Sequence, residues 1–149
     1  MTKPKPRELS DTHRRGIRTT LVLLDETLCH IEQWAKGREM HSVLYGERNR
    51  LTPAQKASII REIEEMRKML DELRQTLELE CGVTDGAREI WAMSWGFWEH
   101  LEELHGKHLR RYGEPPGWLG GYLDPKADEL IEHLQRIATI AGGNEKAGA

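Results

Sequence analysis

Two stretches of the chain carry apolar residues in alternating steps of four and three. In the first they are Ile17, Leu21, Leu24, Leu28, Ile31 and Ala35; in the second, Ile59, Ile63, Met66, Leu70, Leu73 and Leu77. That spacing keeps one stripe of an α-helix turned toward a partner helix, in the manner of a coiled-coil seam. The signals for where each helix starts agree. Ser10 or Asp11 can cap the first, and Gly37 can end it. Thr52-Pro53-Ala54-Gln55 reads as a capping box with proline at the first helical position. Gly82 is the expected stop of the second. The two matched seams predict an antiparallel hairpin. Its connection, residues 38–51, is expected to hold a short helical turn packed on the bundle end, because Val43, Leu44 and Tyr45 are too apolar for a free loop.

A third helix is expected from Thr84 or Asp85 to about Tyr112. Pro115-Pro116-Gly117 and Gly120-Gly121 then predict a non-helical apolar loop, residues 113–123. Asp124-Pro125 repeats the cap-plus-proline signal for a last helix packed through Leu130, Leu134, Ile137 and Ala141 and ended by Gly142-Gly143. No alternating β-branched pattern marks a strand. The expected fold is therefore all-α, a four-helix up-down bundle with coiled-coil-like seams. It would occupy residues 10–142, between a basic arm (1–9) and a tail (143–149).

Charge narrows the function classes. Both signs are interleaved and the formal net charge is −3, so bulk charge does not point to nucleic acid as a partner. Arg48, Arg50, Arg110 and Arg111 form no recognisable DNA-reading pattern. One charge pattern stands out. His13, Arg14, Arg15 and Arg18 place cations at the N-terminus of the first helix, against its dipole. No apolar run approaches the ~20 residues of a membrane span, and the N-terminal residues lack a signal peptide's apolar segment. The chain is expected to be soluble and cytoplasmic, with Cys29 and Cys81 as free, buried or half-buried thiols.

The stretch Ile90–His108 concentrates the chemistry. It holds three of the five tryptophans, the only phenylalanine and three of the seven histidines. At about 100° per residue, Ile90, Ser94, Phe97, Leu101, Leu104 and His108 form one stripe. Trp91, Trp95, Trp98, Glu102 and His105 form a second beside it. A surface helix needs only one such stripe. The second, with Trp118 and Tyr122 from the apolar loop, is the candidate surface for a protein partner or a second copy of the chain, giving a homo-oligomer. A small apolar ligand bound among Trp91, Trp95 and Trp98 is a further option. Glu102, His105 and His108 form a candidate metal site. Glu-x-x-His is half of a ferritin-like carboxylate–metal signature, which would hold iron or another transition metal; no second copy of the motif is present. No phosphate-binding loop appears. His100, on the polar arc, is the candidate for a phosphate acceptor on its exposure alone, and no neighbouring base marks Cys29 as a nucleophile. The expected function is a non-enzymatic interaction or assembly module, with the metal–carboxylate bundle as the alternative.

Overall fold

The computed structural model describes residues 8–147, which are all-helical with no strand among them. The helices are α1 (Asp11–Ala35), α2 (Pro53–Leu77), α3 (Gly86–Glu102), α4 (Gly106–Leu109) and α5 (Leu119–Ala147), with a 3-10 turn at Arg110–Tyr112. Most of the expected basic arm, residues 1–7, and the last two residues of the expected tail lie outside the described residues. Residues 143–147 continue α5 as helix. The chain divides into two units, one ending at Gly82 and one beginning at Val83. Each is built on one antiparallel helix pair.

In the first unit the caps are those the sequence announces. The Ser10 side chain accepts from the His13 amide, and Thr52 and Gln55 complete a reciprocal capping box. Gly37, at φ 100°, follows the last residues of α1. There the Gly37 amide donates to the Trp34 carbonyl and the Arg38 amide to that of Gln33. This is the left-handed closure that glycine adopts without steric cost. Leu28, Ala35 and Ile63 are buried between α1 and α2. Burying Leu28 and Ile63 contributes roughly 1.5–3 kcal/mol each. Ile31 and Leu73 belong to the expected seams but remain more than a third exposed.

The antiparallel sense follows from who meets whom. Arg67 near the middle of α2 pairs with Glu32 near the end of α1, at 2.6 Å. The hydrogen bond from Arg67 holds the Glu32 carboxyl below its usual range. At the other end Arg14 Nε donates to the Leu77 carbonyl (3.1 Å), and Arg18 donates to the carbonyls of Glu80 (2.8 Å) and Cys81 (3.2 Å). This accounts for two of the cations at the start of α1. They complement the negative C-terminal end of the neighbouring helix, where orphan carbonyls need donors.

Three expectations about this unit are corrected. First, α2 stops at Leu77 rather than Gly82, because Glu78 itself takes the left-handed cap (φ 52°) and the Leu79 amide reaches back to the Arg74 carbonyl. Second, residues 38–51 contain no helical turn. They form a tight turn closed by an isolated His41–Gly46 bridge. The organising group is polar: the buried Glu47 carboxylate accepts from both Arg38 Nε and Nη2, the Met40 amide and the Tyr45 hydroxyl. Those hydrogen bonds, led by that of Tyr45, hold its pKa down. Val43 and Leu44 sit at the tip, 94% and 100% exposed, instead of packing on the helices. Third, both cysteines are exposed rather than buried; Cys29 Sγ lies 3.8 Å from Arg67 Nη2.

In the second unit α3 packs against α5. Among the α5 residues whose burial is described, Ala127, Ile131 and Ala138 are buried, so the inner face runs through those positions with Leu134 and Ala141 half-buried beside them. Leu130 and Ile137, expected on the seam, flank it and stay about half exposed. The buried face is thus rich in alanine, which lets the helices approach but removes little apolar area from water. At Gly142 the Trp91 ring lies against the α5 backbone: a Cβ there would stand 2.6 Å from Trp91 Cδ1.

Candidate functional site

The Asp85 side chain accepts from the Arg88 amide at 3.0 Å and starts α3. The only described α3 residue that is fully buried against its surroundings is Ser94. Ser94 lies at the border of the two apolar stripes, so α5 covers the line between them and neither stripe is hidden. On one flank Ile90 and Phe97 are about half exposed, with Met93 more so. On the other are the tryptophans: Trp91 is 48% exposed, Trp95 37% and Trp98 37%. Their indoles make a ladder. Trp91 and Trp95 have centroids 6.3 Å apart at 60°, and Trp95 and Trp98 are 6.2 Å apart at 89°. Tilted and edge-on pairs at this distance are favourable for aromatic quadrupoles. The ladder is held in place yet presents one side outward.

Trp118 and Tyr122 do not join it. The expected apolar loop 113–123 is helical from Leu119 onward, through Gly120-Gly121 and Pro125. Trp118 and Tyr122 pair with each other, centroids 6.3 Å apart, and Lys126 lies 6.0 Å over the Tyr122 ring. Among the described residues they make no ring contact with the α3 tryptophans. They form a second, separate exposed aromatic edge.

The histidine cluster is also rearranged. The expected helix to Tyr112 breaks after Glu102. The amides of Glu103, Leu104 and His105 tighten to the carbonyls of His100, Leu101 and Glu102, and His105 becomes the extended cap of α4. The His105 side chain makes no capping bond. Instead Asp124 on α5 accepts from the Gly106 amide at 3.0 Å, capping α4 from across the unit. Asp124, expected to cap its own helix, thus serves a neighbouring one.

Glu102 and His105 do meet. Nδ1 of His105 lies 3.1 Å from Glu102 Oε2 and 3.2 Å from the Glu102 carbonyl, while Nε2 lies 2.9 Å from Asp128 Oδ1. Each of these partners is an acceptor only, so both ring nitrogens are satisfied together only when both carry protons. The hydrogen bond to Asp128 raises the His105 pKa above its ordinary value. Burial opposes this, and the charges of Asp128, Glu102 and Asp124 add to it. His105 is therefore a clasp between the end of α3 and α5, and its protonated form is the one that satisfies both contacts. His108 stands apart, and its side chain makes no hydrogen bond or ion pair among the described residues. Among those residues no group of three or more His, Cys, Asp or Glu is arranged to hold a metal ion. From the sequence Asp124 was expected only as the cap of its own helix, and neither it nor Asp128 was expected to meet the Gly106 amide or His105. Their spacing of four puts both carboxylates on one face of a helix, which was the available signal.

No described helix is long and apolar enough to cross a membrane. Comparison with protein-family models, curated proteins and solved structures finds no match to this chain.

Proposed function

We propose that this chain is a non-enzymatic helical interaction module whose docking surface is the Trp91, Trp95 and Trp98 stripe of α3. One observation carries the reading. Three indoles stay 37–48% exposed on a helix that already pairs with α5, through Ser94 and one edge of Trp91 against Gly142. Contiguous exposed aromatic surface of this kind is what protein interfaces use. Trp118 and Tyr122 are a subsidiary contact edge. A four-helix up-down arrangement of α1, α2, α3 and α5 belongs to the same proposal, supported by two antiparallel pairs that each keep apolar residues half exposed. So does a cytoplasmic setting, supported by two free, exposed thiols.

The test is Trp95→Arg. Arginine can keep its stem on the apolar surface and its charge in water. The variant retains the wild-type helical circular dichroism, loses about 1–3 kcal/mol of stability with its two ring contacts, and loses partner binding. Collapse of helicity would mean that the stripe is core and the reading is wrong.

A transition-metal site is the second reading, carried by the Glu-x-x-His pair alone: the Glu102 carboxylate lies 3.1 Å from His105 Nδ1, while Asp128 faces the ring's other nitrogen and would not share the ion. A metal there must displace a proton that one of the carboxylates now accepts. Metal content of protein purified without chelator decides it: stoichiometric metal lost in His105→Ala supports this reading over the clasp.

A further inference from the structure

Along α3 the residues Arg88, Trp91, Trp95, Trp98 and Glu102 follow one another in steps of three, four, three and four. They make a single seam on the exposed flank, with Trp95 at its centre. Arg88 and Glu102 lie seven residues to either side, about 10.5 Å along the axis in each direction. The ends of the seam therefore carry opposite charges at equal distances from the middle. Among the described residues the Arg88 guanidinium makes no hydrogen bond or ion pair, and Glu102 Oε1 is unused while Oε2 faces His105.

We infer that this seam pairs with the same seam of a second copy of the chain, antiparallel, with the two-fold axis at Trp95. The inference rests on the Trp stripe being a docking surface and names its partner. In that register Arg88 lies level with Glu102 of the second copy at both ends, and Trp98 lies level with Ala92 of the second copy, whose small side chain leaves room for an indole. A parallel pairing would set Arg88 beside Arg88 and Glu102 beside Glu102, so charge selects the antiparallel form. The contact is self-complementary, as a two-fold interface must be. A net charge of −3 opposes association only weakly. The exposed parts of the three indoles supply about 300 Å² per copy, on a total of 150–250 Å² for each such side chain. With the flanking stems the dimer buries on the order of 1,000 Å² in all, which is the size of weak, reversible complexes. A dissociation constant on the order of 10 µM is expected.

The experiment is sedimentation equilibrium of the full chain, with circular dichroism as the check that each variant is folded. The wild type forms a reversible dimer. Arg88→Glu sets like charges at both ends and weakens dimerisation about tenfold or more. The conservative variant Arg88→Lys keeps the charge and dimerises to within about threefold of wild type. A wild-type monomer at every concentration, a dimer indifferent to Arg88→Glu, or an Arg88→Lys variant as weak as Arg88→Glu overturns the inference. Acrylamide quenching of the same samples separates the two levels. A monomer with quenchable indoles removes only the second copy as partner, whereas a monomer with shielded indoles removes the docking surface as well.

Discussion

Two helical glycines provide a matched test of the α3–α5 packing. Gly96 lies in α3, and a Cβ added there would meet nothing within 4 Å. Gly142 lies in α5, and its added Cβ would stand 2.6 Å from Trp91 Cδ1, 3.3 Å from Nε1 and 3.4 Å from Cγ. In either helix, glycine to alanine improves helix propensity by about 0.8–1.0 kcal/mol. For Gly96→Ala that gain stands alone, so the variant is more stable by about 1 kcal/mol, a rise of about 2–4 °C in Tm for a chain of this size. For Gly142→Ala the ring must move, and it is a rigid indole rather than the free end of a flexible side chain. Overpacking of this kind costs about 1–3 kcal/mol, which cancels or reverses the propensity gain. The variants should differ by about 1–3 kcal/mol, with Gly142→Ala the less stable. Urea unfolding followed by tryptophan emission and far-UV circular dichroism measures the difference. If Gly142→Ala stabilises as much as Gly96→Ala, Trp91 does not pack on α5 as described, and the placement of the whole stripe is wrong.

Three further predictions follow from single residues. Asn49 donates from Nδ2 to the carbonyls of Trp34 (2.7 Å) and Arg38 (3.0 Å), and the Gly37 amide still reaches Trp34, so Asn49→Ala should cost about 0.5–1.5 kcal/mol in urea unfolding. Glu78 holds a left-handed conformation that glycine adopts freely, so Glu78→Gly should raise stability by about 1 kcal/mol; a loss would show that its side chain matters more than its φ. The pKa of His105 is raised on folding, so its contribution to stability is fully present below the ordinary histidine value and is lost as pH rises through the folded one. Stability of the second unit should therefore fall as pH rises above about 6.5, and Asp128→Asn should flatten that dependence; a wild-type profile identical to the variant's would contradict the clasp.

Local signals were legible where the physics is local. The Ser10, Thr52 and Asp85 caps, the Gly37 closure and the greater part of the α1 and α2 seams could be read from short-range chemistry and a 3.6-residue period. The break after Glu102 could not, because apolar spacing continues through Leu104 and His108 while the groups that stabilise the break, Asp124 and Asp128, lie about twenty residues on. The same two carboxylates explain the misplaced start of α5. Asp124-Pro125 resembles a helix start, yet α5 runs through Pro125 despite a missing amide and a clash with the preceding turn, and the Asp124 carboxylate engages the Gly106 amide instead. The turn around Glu47 was hidden for a related reason: Val43 and Leu44 suggested packing, but a buried carboxylate with donors from three residues defines the turn, and hydropathy patterns carry no trace of it. At the candidate site the surplus of the Trp stripe was visible from the helix period alone. Its separation from Trp118 and Tyr122 was not, because it depends on the helical continuation through Gly120-Gly121.

The central claim is that the α3 indoles face outward, ready for a partner. Its most direct test is acrylamide quenching of tryptophan emission at about 1 µM, a concentration below the expected dimer constant. In a dilute Trp118→Phe background, which removes the most exposed indole, the emission should be that of partly hydrated indoles and readily quenched, and adding Trp95→Phe should remove part of the quenchable signal. Blue-shifted emission that resists quenching at this dilution, and a Trp95→Phe variant that leaves the quenchable signal unchanged, would contradict the account.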